Sequence, residues 1–139
     1  MKTLNFKTFT TTSFFGCAIA LSLLPSGAAA QAMSPMRGEV KSFADAFALK
    51  VFPANPYSHR IRMEVKVYDQ DFRPVEAQVT PAEFTLGGKS SRSVNVIVPF
   101  EGTTSRKVRV CTESIPFPSQ TKTTIKAQVC GKFLGERVF

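Results

Sequence analysis

Few residues in this chain have the types and spacing that chemistry needs. The chain holds one histidine, His59, in the run Tyr57-Ser58-His59-Arg60. A nucleophilic triad requires a base beside its nucleophile, so His59 would have to be that base. No Gly-x-Ser-x-Gly accompanies it, and its place at a turn before an alternating run marks a surface histidine. Asp69 and Asp71 form a carboxylate pair, but aspartate is favoured in turns for local hydrogen bonding, and no third ligand follows at calcium-loop spacing. Cys111 and Cys130 show neither Cys-x-x-Cys spacing nor a nearby histidine, which disfavours zinc and thiol-redox chemistry. These residues predict no enzyme, no metal site and no cofactor.

The N-terminus explains the third cysteine. Lys2 and Lys7 precede an apolar stretch from Phe14 to Leu24, followed by Pro25-Ser26-Gly27 and the small residues Ala28 to Ala32. That is the n-region, h-region and A-x-A pattern of a cleaved signal peptide, expected over residues 1–32. Its apolar core is about half of the roughly 20 residues a membrane-spanning helix needs, so no stable span remains after cleavage. Ala28-x-Ala30 would start the mature chain at Gln31, and Ala30-x-Ala32, the preferred site, at Met33. Cys17 follows Phe15-Gly16 as in a lipobox, but the best h-region residues come after it, so it reads as small apolar filler. Residues 33–139 then form one domain in the periplasm or secreted, with Cys111 and Cys130 as an even pair in an oxidising compartment.

The elements that position these residues are strands. In Arg60 to Tyr68, Ile61, Met63, Val65 and Val67 alternate with Arg62, Glu64 and Lys66, the pattern of a half-buried strand. Val94, Val96 and Val98 repeat it, as do Val108 and Val110, and Phe47, Leu49 and Val51 give a shorter version. Turn residues bound each run at Pro53 to Pro56, Asp69 to Asp71, Gly87 to Ser90 and Glu101 to Thr104. Val40, Phe43, Ala44 and Phe47 fall at helical spacing but read as a first strand bending into a second. Short alternating runs with frequent turns predict an all-β sandwich or barrel. Phe139 would suit the last strand of an outer-membrane barrel, yet Arg137, Gly135, Phe133 and Gly131 do not make a lipid-facing row.

The cysteines test this pattern. With Val108 and Val110 facing the core, Cys111 falls on the outer face beside Arg109; with Ile125, Ala127 and Val129 inward, so does Cys130. An antiparallel hairpin with Cys111 opposite Cys130 puts Val108 against Phe133, Thr112 against Val129 and Pro116 against Ile125. The expected disulfide is therefore a cross-strand staple, because a bond between two sheets would need both cysteines inward.

Charge bounds the partner. Two of the 18 Lys and Arg lie in the leader while all 10 acidic residues follow it, leaving a net charge of +6. A basic surface admits anionic partners such as acidic proteins, lipid headgroups or polysaccharide, and export disfavours nucleic acid.

Several segments, taken in order, resemble a known family. They are Phe47 to Phe52 followed by Asn55; Arg60 to Tyr68; Thr80-Pro81-Ala82-Glu83-Phe84-Thr85-Leu86-Gly87-Gly88 through Val94; and Val108-Arg109-Val110-Cys111-Thr112-Glu113-Ser114-Ile115-Pro116. Together they resemble the N-terminal domain of periplasmic pilus-assembly chaperones, the PapD-like group. The resemblance implies an immunoglobulin-like antiparallel β-sandwich of about seven strands. It also implies a protein partner, a pilus or envelope subunit, taken up at a sheet edge by β-augmentation. That family has two such domains and anchors its client's terminal carboxylate with an Arg on the first strand and a Lys on the last. Lys126 falls where the Lys is expected, and the Arg position falls near Glu39, flanked by Arg37 and Lys41. The family's long apolar alternation ahead of that Lys is here the short polar run Phe117 to Lys122. In a PapD-like sheet the strand Thr123 to Val129 lies at an edge, with Lys126 and Gln128 outward. The candidate partner contacts are therefore Lys126, Gln128, Arg37 and Lys41. The alternative is a structural subunit of an envelope or appendage complex without chaperone activity.

Overall fold

The computed structural model describes residues 32–119 and 127–139. The cleavage site before Gln31, Cys17, Ile125 and Lys126 lie outside the described residues, while the preferred cleavage bond, between Ala32 and Met33, lies within them. These contain nine strands and no helix: β1 Ala32–Ser34, β2 Arg37–Ser42, β3 Ala46–Ala54, β4 Ile61–Tyr68, β5 Gln78–Thr80, β6 Glu83–Leu86, β7 Val94–Pro99, β8 Ser105–Ile115 and β9 Gln128–Arg137. They form a sandwich of a four-stranded sheet, β1-β3-β7-β5, and a five-stranded sheet, β2-β9-β8-β4-β6.

The alternating runs become the two inner faces. Phe47, Leu49 and Val51 of β3 and Val94, Val96 and Val98 of β7 meet Ile61, Met63, Val65 and Val67 of β4 and Val108, Val110 and Phe133 across the core. The first strand does bend into the second, and Phe43, one of the residues at helical spacing, is 81% exposed at the bend. Met33 is buried, so β1 keeps its inward anchor with cleavage at either expected site.

Two details differ from the sequence expectation. Nine strands rather than about seven are present because two segments change sheets, and each is broken by a proline. Pro35 separates β1 from β2 and Pro81 separates β5 from β6; proline has no N–H to give a ladder. The sandwich is also not wholly antiparallel, since β2 runs parallel to β9, Arg37 abreast of Lys132 through Ser42 abreast of Arg137. Pairing between the first and last segments is non-local, and local alternation carries no trace of it.

Two close approaches hold the layers. Gly135 of β9 lies against the ring of Phe47, where a Cβ would overlap the ring atoms. Phe47 has no room to retreat, being 1% exposed and packed on Phe100 with ring centroids 5.2 Å apart. Asn55, 2% exposed, ties two turns together. Its Nδ2 donates to His59 O at 2.7 Å and Gly87 O at 2.9 Å, and its Oδ1 accepts from Tyr57 N at 2.9 Å.

The hairpin register is as the cysteines predict. Cys111 pairs with Cys130, Val108 with Phe133 and Thr112 with Val129, and Cys111 and Cys130 are bonded. Both stand on the outer face of the five-stranded sheet, yet Cys111 is fully buried, flanked there by Cys130 and Lys66. Replacing both cysteines with alanine should cost about 3 kcal/mol in urea unfolding, less if the denatured chain is compact. A loss under about 0.5 kcal/mol, or free thiols in the oxidised protein, would show that the bond does not staple the hairpin.

Candidate functional site

The ladders of the five-stranded sheet fix which outward side chains stand abreast, and these form rows of distinct charge. One row runs Gln128, Glu113, Glu64, Glu83 across β9, β8, β4 and β6. Its carboxylates are matched: Lys66 Nζ lies 2.8 Å from Glu64 and 3.8 Å from Glu113, and Arg62 lies 2.6 Å from Glu83. The hydrogen bond to Glu64 raises the Lys66 ammonium above its ordinary pKa against the cost of burial. Glu113 also accepts from Gln128 Nε2 at 2.8 Å and from the Tyr68 hydroxyl at 3.2 Å. Burial first, then the Glu113 carboxylate, push the Tyr68 phenol upward. The disulfide and Lys66 make the next row.

Beyond them the sign reverses. Arg37, Lys132 and Arg109 stand abreast on β2, β9 and β8, followed by Glu39, Leu134 and Lys107. Among the described residues, no carboxylate lies within ion-pairing distance of Arg37, Lys107, Arg109 or Lys132. These four cations, with Glu39 and Leu134, line an open groove of about 480 Å³. Arg109 is held from one side, its guanidinium 4.5 Å from the centroid of the Phe72 ring. The turn carrying Phe72 is fixed by Asp69, whose Oδ1 accepts from the Asp71 and Arg73 amides at 2.8 and 2.9 Å. Its Oδ2 accepts from Arg73 Nε at 2.8 Å. The Arg73 amide, foremost among these donors, holds the Asp69 carboxyl below its ordinary range.

Of the expected contact residues, the three described do not converge on one point. Arg37 and Lys41 lie on β2, the edge strand, with Lys41 beside Glu136 and Arg37 beside Lys132. Gln128 stands at the far end of β9, engaged with Glu113. Lys126 lies outside the described residues. The strand expected over Thr123 to Val129 is described from Gln128, and most of β9 runs inside the sheet between β2 and β8. Only its start is a margin, because β2 covers β9 from Lys132 onward. The Lys132 amide donates to Met36 O on the β2 side, so the backbone groups of Cys130 and Gln128 face that side too. No strand among the described residues pairs with them there. Sequence reasoning missed Lys132, whose place beside Arg37 depends on the parallel pairing; the hairpin register alone sets it opposite Arg109.

His59 stacks on Tyr57 with ring centroids 5.2 Å apart. Among the described residues no three His, Cys, Asp or Glu side chains are grouped to hold a metal, and no helix is long and apolar enough to cross a membrane.

No family model and no curated protein matches the chain. Solved structures do. The E. coli chaperone DraB superposes with a TM-score of 0.61 at 18% identity, over 76% of this chain and 54% of its own. A complex of the Salmonella enterica SafA pilin with the SafB chaperone contains a chain matched at a TM-score of 0.62 and 16% identity, covering 78% of this chain and 54% of that one. SSP-19, a Caenorhabditis elegans protein like the MSP-domain family, matches at a TM-score of 0.55 and 12% identity, over 75% of this chain and 97% of its own. The chain thus spans about half the length of the chaperone chains it matches. At these identities the likeness is one of fold, and the fold is the immunoglobulin-like sandwich found in pilus-assembly chaperones.

Proposed function

We propose that this is an exported, non-enzymatic protein-binding module that takes up a segment of a pilus or envelope subunit at the β2–β9 margin and assists its assembly. The observation that carries this reading is the half-covered β9. Among the described residues, no strand pairs with the backbone groups that Cys130 and Gln128 present to one side, beside the abreast cations Arg37 and Lys132. An extended partner strand can satisfy those backbone groups by β-augmentation. Its terminal carboxylate would then be received between Arg37 and Lys132 by charge-assisted hydrogen bonds. Lys132 takes the role that the sequence resemblance gave to Lys126, and Arg37 that of the first-strand arginine.

A photo-crosslinking residue at Gln128, introduced into cells of the source organism, tests this. It is expected to trap a protein in the periplasmic fraction, with trapping reduced at least tenfold, about 1.4 kcal/mol, by Arg37→Glu or Lys132→Glu. The same crosslinker at Lys50, on the opposite sheet, should trap little. Equal trapping at both positions, or trapping indifferent to the charge reversals, would overturn the reading.

A further inference from the structure

We infer that the free edge of β2 pairs with the same edge of a second copy of this chain, antiparallel and with Glu39 opposite Lys41, so that the two five-stranded sheets join into one. This goes beyond the partner-binding reading and does not rest on it, since that reading uses the backbone of β9 and not the far side of β2.

β2 has one open side. The Lys132 amide donates to Met36 O and the Val138 amide to Ser42 O, so the even-numbered residues of β2 turn their backbone groups to β9. Arg37, Glu39 and Lys41 turn theirs the other way. β2 ends its sheet, and among the described residues no strand pairs with it on that side. It is also the longest of the four edge strands, six residues against three, three and four for β1, β5 and β6. Arg37, Glu39 and Lys41 are exposed, and among the described residues none has an opposite charge within 4 Å.

The order of charges chooses the occupant. Charges of one sign defend an edge, because they repel a copy of themselves in every register. Here the signs alternate along Arg37, Glu39 and Lys41, which makes the edge self-complementary to an antiparallel copy. Backbone bonds form only where outward-turned residues face each other, so the register moves in steps of two residues. With Glu39 opposite Glu39, Arg37 falls on Lys41 and every pair repels. One step along, Glu39 falls on Lys41 and Lys41 on Glu39, and each pair exchanges both of its backbone hydrogen bonds. One step the other way Lys41 falls on Pro35, which has no N–H to give. The favoured register also sets Val40 against Val40 on the two-fold axis, adding to the core that Val40 already packs against. It brings Phe43, 81% exposed just past the end of β2, level with Arg37 of the second copy, where ring and guanidinium attract.

The test is sedimentation velocity of the purified exported protein from about 5 to about 500 μM, because one short strand edge makes a small and weak interface. A dimer is expected to form across that range and to weaken as salt screens its ion pairs. Lys41→Glu and Glu39→Lys each set like charges opposite one another and should weaken it about tenfold or more. Mixing those two variants should restore the dimer, and so should the exchange Glu39→Lys/Lys41→Glu in one chain, because both recreate opposite charges in this register alone. Both positions are exposed, so the variants should melt within about 2 °C of the parent. The parent gives a readout that needs no variant: hydrogen exchange at the Glu39 and Lys41 amides should slow about fivefold or more as concentration rises. A protein that stays monomeric, or a dimer that either charge reversal leaves intact, would overturn the inference. So would a mixture and an exchange that both fail to restore the dimer, or Glu39 and Lys41 amides that exchange alike at all concentrations. Trapping at Gln128 tests the partner-binding reading separately, and its failure would leave this dimer standing.

Discussion

Asn55→Ala is expected to destabilise the protein by about 3 kcal/mol, because it strands two backbone groups at once. His59 O loses its donor and Tyr57 N its acceptor, while Gly87 O keeps the Ser90 hydroxyl at 2.7 Å; each buried polar group left unmet costs about 1–3 kcal/mol, less where water can reach it. The effect should be local before it is global. The Lys89 amide donates to Tyr57 O and the Asn55 amide to Ser90 O, so hydrogen exchange at residues 55 and 89 should quicken more than at the β4–β8 centre. Asn55→Asp keeps the acceptor for Tyr57 N but loses both donations, and should not rescue. Urea unfolding of Asn55→Ala within 0.5 kcal/mol of the parent would show that the two turns are held by something else.

Gly135→Ala should be about as damaging, near 3 kcal/mol, for a steric reason. The added methyl would occupy the space of the Phe47 ring, which is itself pinned against Phe100. Overpacking a dense core costs typically 1–3 kcal/mol, and the upper end is expected where the obstructed group is a buried ring. Gly87→Ala is the control, since its Cβ would find only Ser90 Oγ at 3.6 Å, an ordinary contact, and should stay within about 0.5 kcal/mol. Shortening the obstructing ring should reconcile the two layers, so Phe47→Leu in the Gly135→Ala background is expected to recover part of the loss. Additive losses in the double variant would disprove the contact as the cause.

How much of this was legible in the sequence follows from how local each feature is. The faces of β3, β4, β7 and β8 follow from alternation, since a strand's side chains can point only two ways. The β8–β9 register was legible too, because Cys111 and Cys130 allow one alignment in which both faces agree. The burial of Cys111 was not, as alternation assigns it to the solvent face and cannot show that its own partner and Lys66 cover it. The two short strands that change sheets left only their prolines as a sign. The groove was the least legible part. Arg37, Lys132 and Arg109 are far apart in sequence, and only the parallel pairing of β2 with β9 brings the first beside the second. Reading by family pattern gave Lys126, which lies outside the described residues, and did not reach Lys132, the cation that the sheet sets beside Arg37.

That parallel pairing has a mechanical consequence. When two strands lie parallel, tension on the chain before the first and after the second draws them in opposite directions along one axis. All the hydrogen bonds between them are then loaded together, in shear, where an antiparallel hairpin pulled at its open end would yield one bond at a time. β2 and β9 are the two strands that such tension reaches beside each other, and they share six residue pairs from Arg37–Lys132 to Ser42–Arg137. Under a pull from its ends the sandwich resists as a lap joint rather than a zipper, and the cations Arg37 and Lys132 sit at the lip of that joint.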